Sequence, residues 1–374
     1  MKYGPVIFAL ALAVLAFVLL VPPWISPANV GTTQIGPDAS AMGLYIDERE
    51  SAKPAVQPEF MLASLETSSG GQGGYTNLQV LNGEAPAEID RTMRALTAWV
   101  APEQGCGFCH GGQSGPNANW AADYPRKEVA RQMLRMVRDV NSRWTNHVGS
   151  QGVTCFSCHQ GKNVPEYKWF ITPKPTPPLG GMAGKPQEWH TKATTIRDFF
   201  PSTPEELYLL KGEPAKLVQA RQPLVGGPVP QNHNLEAGEN VYILMMQMSQ
   251  GIGVNCTFCH QSRALFDWSQ SPPNRLNGYS GIKMTLDLNQ RVFSQLGPIA
   301  STEAKGQLGD PAKINCASCH NQHQKPAGGM TTTYYPALVG PAVPAPANPV
   351  AAANPGIWQL ARHPRVGPVQ EARR

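Results

Sequence analysis

The chain has 374 residues, a length that ordinarily corresponds to two domains. Glycine and proline contribute 36 residues each, nearly a fifth of the chain, and charged residues make up only 15%, so we expect short helices joined by long irregular loops. The net charge of +5 is mild, and the sequence has no basic stripe of the kind that marks a nucleic-acid-binding protein.

The N-terminus is strongly apolar, and residues 6–21 form an unbroken run of apolar side chains. Two interpretations compete: a cleaved signal peptide and a retained membrane anchor. With the flanking Tyr3 and Trp24 included, the span reaches about 20 residues, enough to cross a bilayer. Lys2, on the short side, places the N-terminus in the cytoplasm and the body outside it. We favour an anchor over residues 1–27, and under either interpretation the body is exported.

The stretch QGCGFCHGG, at residues 104–112, contains a pattern that recurs in TCFSCHQG, NCTFCHQS and NCASCHNQ. The four motifs use all eight cysteines, and each is completed by a histidine: Cys106, Cys109 and His110; Cys155, Cys158 and His159; Cys256, Cys259 and His260; Cys316, Cys319 and His320. C-x-x-C-H is the attachment signature of c-type haem. The two thiols add across the two vinyl groups of one porphyrin, and the adjacent imidazole ligates the iron. The sequence therefore predicts four covalently bound haem c groups.

Three other uses of cysteine fit this pattern less well. Zinc ribbons do not require a histidine after each second cysteine. A thioredoxin-like dithiol needs its CxxC near a βαβ pattern, and predicted strands are scarce. A disulfide framework suits small secreted chains, whereas this chain is long enough to bury its own core.

Amphipathic helices precede the first three motifs, and each offers a methionine as the second axial ligand. The first begins at Pro86 and stops at Pro102, with Met93 on its apolar face. The second begins near Pro125 and carries Met133. The third carries Met245 and is expected to end at Gly251. A methionine on such a face is usually core filler, and spacing alone does not exclude the neighbouring methionines Met136, Met246 and Met248.

The fourth motif differs, because its upstream helix offers Met284 but is separated from Cys316 by a longer loop. His147 lies 14 residues after Met133, about 20 Å along a helix. If both residues are ligands, they must serve different irons, so His147 is free to reach the fourth haem. A lone histidine is more often a hydrogen-bonded loop residue, and that interpretation stays open.

The motifs fall into two pairs with similar flanks. GCGFCH matches NCTFCH at an offset of 150 residues, and TCFSCHQGKNVP matches NCASCHNQHQKP at an offset of 161. This similarity indicates an internal duplication in which each half binds two haems. The predicted fold is mainly α with extensive irregular loops and two pseudo-symmetric halves. Its segments are the anchor at 1–27, a first half with haems 1 and 2 at 28–180, a connecting segment at 181–225, a second half with haems 3 and 4 at 226–335, and a Pro/Ala-rich tail at 336–374.

The whole pattern resembles the tetrahaem cytochrome c subunit of purple bacterial photosynthetic reaction centres. The resemblance covers roughly residues 40–335 and is most specific in QMLRMVRDVNSRWTNHVGSQGVTCFSCHQGK. Many members of that family are lipoproteins anchored by an acylated cysteine, whereas the first cysteine here is Cys106, so we expect a protein helix as the anchor. The resemblance implies the axial pairs Met93 with His110, Met133 with His159, Met245 with His260, and His147 with His320.

The resemblance also implies an electron-transfer subunit rather than an enzyme, on the periplasmic side of the photosynthetic inner membrane. Such a subunit lies on the L and M subunits and re-reduces the photo-oxidised bacteriochlorophyll special pair. Its electron donor is a soluble cytochrome c or a high-potential iron–sulfur protein. Three Met/His haems and one bis-His haem imply unequal potentials, because methionine ligation raises the potential of a haem.

Two other classes of protein also carry several CxxCH motifs. A membrane-anchored multihaem quinol dehydrogenase combines them with an N-terminal helix, but it is usually smaller and lacks this doubled methionine pattern. A multihaem reductase needs one iron with an open axial position, often at an altered attachment motif. Here every motif is a plain CxxCH.

Overall fold

The computed structural model describes residues 3–20, 30–35, 41–47, 54–58, 75–112, 118–172, 202–215, 235–265, 267–329 and 335–339. These parts of the chain are mainly helical, as predicted. The strands β1 (Val30–Ile35) and β2 (Ala41–Asp47) pair as an antiparallel hairpin, which the sequence analysis does not predict. The helices are α1 (Gly4–Leu20), α2 (Pro86–Val100), α3 (Pro125–Arg143), α4 (Thr145–Val148), α5 (Cys155–His159), α6 (Thr203–Glu206), α7 (Leu235–Ile252), α8 (Asn274–Arg291) and α9 (Cys316–His320).

The N-terminal helix α1 is shorter than the predicted anchor. It has 17 residues, about 25 Å at 1.5 Å per residue, against a hydrocarbon core about 30 Å thick. Its large apolar side chains are exposed, among them Ile7 and Phe17. Within the described residues, no helix combines the length and the apolar character needed to cross a membrane. The predicted membrane-spanning helix is therefore not confirmed; the C-terminal end of the predicted span, at Trp24, lies outside the described residues.

Helices α2 and α3 begin at the prolines that the sequence indicates. Pro86 and Pro125 each occupy the first turn, where the missing N–H costs no hydrogen bond and the fixed φ suits a helix. The preceding residues, Ala85 and Tyr124, are extended, as a following proline requires. Helix α7 continues through Gly251 and ends one residue later, at Ile252.

The core of the first half includes a segment from the far end of the chain. Tyr335 is 1% exposed and packs edge-on against Trp99, with ring centroids 4.8 Å apart. The short helix Pro336–Leu338 follows it, and Arg138 donates to the Ala337 carbonyl at 2.6 Å. The first residues of the predicted tail at 336–374 are thus part of a core, while those beyond 339 lie outside the described residues.

The core of the second half recruits residues from outside its predicted limits in the same way. Trp169, which follows the second motif, is fully buried and donates from its indole N–H to the Ile314 carbonyl at 2.9 Å. Tyr208 and Leu209, from the predicted connecting segment, pack in the same cluster with Leu244 of α7. The segment after the second motif therefore packs in the core of the second half, and the segment after the fourth motif packs in the core of the first half.

An asparagine clamp occurs at equivalent places in the two halves. Asn141 of α3 donates to the Val153 carbonyl at 3.0 Å and accepts from the Val153 N–H at 2.7 Å. Asn289 of α8 makes the same two contacts with Ile314, at 2.8 and 2.9 Å. Val153 and Ile314 each stand two residues before the first cysteine of a motif. The repeated clamp supports an internal duplication in which α3 and α5 correspond to α8 and α9.

Two ion pairs join α3 of the first half to α8 of the second half. Arg143 contacts Asp139 at 3.1 Å, and Arg291, at the position 148 residues later, contacts Asp287 at 2.8 Å. Arg291 also pairs with Asp139, and Arg143 lies 3.9 Å from Asp287. Asp139 is buried with only 1% of its surface exposed. A pseudo-twofold axis therefore passes between α3 and α8.

Candidate haem-binding site

Each of the four motifs forms a single helical turn. The second and fourth motifs are the short helices α5 and α9, and each begins at a polar capping residue, Thr154 or Asn315. The first and third are 3₁₀ turns, in which the histidine N–H donates to the carbonyl of the first cysteine at 3.1 and 3.0 Å. Residues three and four apart share a helix face, so each turn presents its cysteines and its histidine together.

Four of the histidines are oriented by backbone carbonyls. In each case the ring Nδ1 lies within 3.0 Å of a carbonyl oxygen, which can only accept. Nδ1 therefore carries the proton, and the lone pair of the neutral ring is on Nε2, the atom available to a metal. The pairs are His147 with Asn277, His159 with Lys162, His260 with Leu265, and His320 with His323.

Burial keeps these rings neutral. It lowers the pKa of His320 to about 4. It also lowers the pKa values of His110, His147, His159 and His260 below their ordinary value. A neutral imidazole is the form that binds a metal, so the five rings are in the ligand-competent state at neutral pH.

A continuous, mainly apolar cavity of about 1140 Å³ runs through the molecule between the motifs. It is lined by parts of all four motifs and by two of the predicted methionine ligands. The predicted site residues on its wall are Met93, Cys106, Cys109, His110, Met133, His147, Cys155, Cys158, His159, Cys259, Cys316, Cys319 and His320. An apolar cavity of this extent suits large apolar prosthetic groups.

At the third motif, the structure does not decide between Met245 and Met248 as the methionine ligand. Met245 packs beside the second-half cluster of Trp169 and Leu244. Met248, one turn later on α7, lines the cavity. A Cβ placed on Gly278 would lie 3.8 Å from Met248 Cε and 3.9 Å from Cys259 Sγ, so Met248 is next to the third motif.

The clearest ligand geometry joins the two halves. The ring centroids of His147 and His320 are 6.1 Å apart. Two metal–imidazole bonds of about 2.0–2.1 Å each, plus about 1 Å from each centroid to its nitrogen, give roughly 6 Å. The separation of the two rings therefore matches that of two imidazoles that share one metal. His147 comes from α4 of the first half and His320 from α9 of the second.

The second cysteines of α5 and α9 meet at the same junction. Cys158 and Cys319 are joined by a disulfide, with their Cα atoms 4.1 Å apart. The sequence predicts a thioether to haem at each of them instead, and a thiol forms only one of these bonds. Nearby, Asn321 donates from its side chain to the Ser157 carbonyl at 3.2 Å. The second and fourth motifs are thus direct neighbours across the pseudo-twofold axis.

Some residues around the motifs are not found by sequence reasoning. Trp120 packs edge-on against His110, with centroids 5.0 Å apart, and the Arg126 guanidinium lies 4.4 Å above the Phe108 ring. The Asn277 carbonyl that orients His147 belongs to α8 of the other half. No local motif signals these contacts, because each depends on how separate segments pack.

Comparison with known proteins identifies the family of the chain. Residues 26–339 match the family model described as the photosynthetic reaction centre cytochrome C subunit. The chain is 36% identical to the photosynthetic reaction center cytochrome c subunit of Thermochromatium tepidum, over 84% of this chain and 76% of that protein. The subunit of the same name from Rubrivivax gelatinosus is 36% identical, over 75% and 73% of the two chains. That from Roseobacter denitrificans is 31% identical, over 82% and 84%. The chain therefore belongs to the photosynthetic reaction centre cytochrome c subunit family, electron-transfer proteins that carry covalently bound haem c and associate with a membrane-bound reaction centre.

Proposed function

We propose that this chain holds four haem c groups and re-reduces the photo-oxidised bacteriochlorophyll special pair of a photosynthetic reaction centre. Its electrons come from a soluble cytochrome c or a high-potential iron–sulfur protein. The observation that carries the proposal is the His147–His320 pair, whose ring centroids are 6.1 Å apart and whose Nδ1 atoms are both held by carbonyls. Bound haem iron supplies reversible one-electron chemistry.

Two side chains would hold each iron. The pairs are Met93 with His110, Met133 with His159, Met245 with His260, and His147 with His320. An iron held in this way would have no position left for substrate, so the chain would act as a relay and not as an enzyme. The cavity wall is mainly apolar, and electrostatic interactions are stronger in such low-dielectric surroundings than in water.

We assign thioether bonds to all eight cysteines, including Cys158 and Cys319. Each of these two belongs to a complete CxxCH turn whose histidine is fixed for metal binding. A Cys158–Cys319 disulfide would leave Cys155 and Cys316 as the only attachment points of their motifs. Two thioethers per motif are what the pattern is built to form.

For the third haem we retain Met245, which follows from the family resemblance, and name Met248 as the competing ligand. Both residues lie on α7, three positions apart, so they share one side of that helix. Met248 has the support of its place beside Cys259. The two assignments make opposite predictions of which leucine substitution, at Met245 or at Met248, removes thioether-to-iron absorption.

The contact between α5 and α9 supports a path between the halves. Asn321 bonds to Ser157, and Cys158 and Cys319 are adjacent, so groups held by these motifs lie next to one another. Methionine is a weaker donor than histidine to ferric iron, and Met/His haems therefore have higher potentials than the bis-His haem. The proposed relay thus combines three haems of higher potential with one of lower potential.

We place the body of the chain in the periplasm, on the L and M subunits of the reaction centre, with the apolar α1 as its membrane contact. The exposed apolar side chains around α1 support this role. At 17 residues, α1 spans a bilayer only if the helix continues or the bilayer thins locally.

Flash excitation of membranes that contain the protein tests the proposed function. Oxidation of c-type haem should follow special-pair oxidation, and membranes lacking this chain should lose that fast re-reduction. Restoring the chain should restore it. The proposal fails if a flash oxidises no c-type haem of this chain, or if its haems are reduced by quinol in the dark and pass electrons only to a periplasmic reductase, as a quinol dehydrogenase would.

A further inference from the structure

The pseudo-twofold axis gives each residue of α3 after Pro125 a counterpart on α8. The pairs Asp139 and Asp287, Asn141 and Asn289, and Arg143 and Arg291 all differ by 148 positions, and each pair makes matching contacts. The apolar side follows the same offset, since Val140 and Leu288, and Trp144 and Val292, pack in one buried cluster.

At this offset the counterpart of Met133 is Gly281. Met133 is the proposed methionine ligand of the second haem, and it lines the cavity. Gly281, which also lines the cavity, has no side chain to offer the fourth haem. The duplicated helix therefore lacks its own ligand at the place where the first half carries one.

His147 occupies the space above Gly281. A Cβ on Gly281 would lie 2.7 Å from His147 Cε1 and 3.2 Å from each of its ring nitrogens. A contact of 2.7 Å is well inside van der Waals distance, so any side chain at this position forces the imidazole to move. The neighbouring atom belongs to a ring that is already fixed by a hydrogen bond, which leaves it little freedom to yield.

The surrounding turn of α8 is shaped to receive α4. Asn146 donates to the Ser280 hydroxyl at 3.0 Å, and His147 Nδ1 lies 3.0 Å from the Asn277 carbonyl. Three contacts thus hold the imidazole in place. Asn146, the residue before it, is bonded to Ser280; Nδ1 is held by the Asn277 carbonyl; and Cε1 lies against Gly281. No return contact is available, because the counterpart of His147 at the same offset is the exposed Gln295.

We propose that Gly281 is the positioning residue that exchanges the fourth haem's ligand, replacing a methionine on α8 with His147 from the other half. The absent side chain has two effects: it withholds a thioether and it admits the imidazole. This inference rests on the proposed ligation of a haem between His147 and His320. It makes one buried glycine responsible for the single bis-His site among four.

Three variants of the haem-loaded chain test the proposal, with Gly238→Ala as the matched control. Gly238 is also a helical glycine, and a Cβ there meets nothing within 4 Å. Gly281→Ala should weaken the bis-imidazole electron-paramagnetic-resonance signal and let the reduced protein bind about one carbon monoxide per chain. Gly238→Ala should bind none. The double variant His147→Ala with Gly281→Met should raise the thioether-to-iron absorption by about one third, as three methionine-ligated haems become four.

The outcomes separate this inference from the proposed function. If His147→Ala alone leaves every haem spectrum unchanged, His147 is not a ligand and the proposed ligation fails. If His147→Ala alters the spectrum but Gly281→Ala does not, only the role of Gly281 is refuted. Thermal unfolding gives an independent measure: Gly281→Ala should lower Tm when His147 is present and not when His147 is alanine. An equal change of Tm in both backgrounds would overturn the steric relation.

Discussion

A ligand histidine in this protein is defined by its surroundings more than by its neighbours in sequence. The Asn277 carbonyl holds the Nδ1 of His147, which leaves Nε2 as the ring nitrogen available to a metal, and the ring lies 6.1 Å from that of His320. The carbonyl and Gly281 both come from α8 of the other half. In the proposed ligation, a single carbonyl and a single missing Cβ would thus select which residue completes the fourth site.

Methionine substitutions test the assignment at the third haem. Met245→Leu should remove about one third of the thioether-to-iron absorption and lower one haem potential, since a weaker-field methionine is lost. Met248→Leu should leave that absorption intact and cost less than about 1.5 kcal/mol of stability, as a volume-conserving core change. Loss of the band in Met248→Leu, with Met245→Leu unchanged, would transfer the ligand role to Met248. Met93→Leu and Met133→Leu provide the comparison, and each single substitution should remove about one third of the thioether-to-iron absorption.

Residue identities of the motifs are readable from sequence because haem attachment is local chemistry within five residues. Spacing only allows His147 as a ligand of another iron than that of Met133, and its pairing with His320 is what the family resemblance implies. The roles of Gly281 and Asn277 are not readable from sequence, because they exist only after α4 docks on α8. The Met245 and Met248 alternatives stay open at the sequence level, since both lie on the same apolar side of one helix.

Helix positions reflect strong local signals, and the irregular elements reflect tertiary packing. Pro86 and Pro125 start α2 and α3 because proline suits a first helical turn. The turn at Thr203–Lys211 and the short helix Pro336–Leu338 carry no comparable signal, and they form where they bury Tyr208 and Leu338. The sequence therefore predicts the long helices well and misses the segments that complete each core.

The asparagine clamps should be the most sensitive polar residues of these helices. Asn289→Ala leaves the Ile314 N–H without its acceptor and removes a donor from the Leu209 and Ile314 carbonyls. The Ile314 carbonyl keeps its hydrogen bond from the Trp169 indole N–H, so two buried groups lose a partner. Each such group costs about 1–3 kcal/mol, so unfolding should require at least about 2 kcal/mol less. Denaturant unfolding measures this loss. The exposed Gln307→Ala should change stability by less than about 0.5 kcal/mol, and an equal effect of both changes would show that the clamp is not needed.

The interface ion pairs give a second test at this scale. Asp139 is buried between Arg143 and Arg291, so Asp139→Ala leaves Asp287 as the one carboxylate of this cluster and should cost about 1.5–3 kcal/mol, the value of hydrogen bonds to charged groups. Glu166→Ala removes an exposed pair with Lys162 and should cost less than about 1 kcal/mol. The measurement is the free energy of unfolding of the haem-loaded chain. A small cost for Asp139→Ala would mean that the halves are held together without this cluster.

At the scale of the whole molecule, the two halves share repeated packing contacts but differ in their proposed haem ligands. The clamps, the ion pairs and the adjacent α5 and α9 obey the pseudo-twofold axis. The proposed ligands do not, since His147 crosses the axis and, among the described residues, no histidine crosses back. The two halves also exchange Trp169 and Tyr335, each buried in the core of the other half. Repeated motif flanks reveal the duplication in the sequence, but the exchange of segments depends on packing that no repeat encodes.

The intact mass of the purified chain, with peptide mapping of its cysteines, tests the central claim of four covalent haems most directly. The predicted mass is that of the polypeptide plus four haem groups, with Cys158 and Cys319 each recovered as haem thioethers. Fewer than four haem additions, or a peptide in which Cys158 and Cys319 are joined to each other, would contradict it.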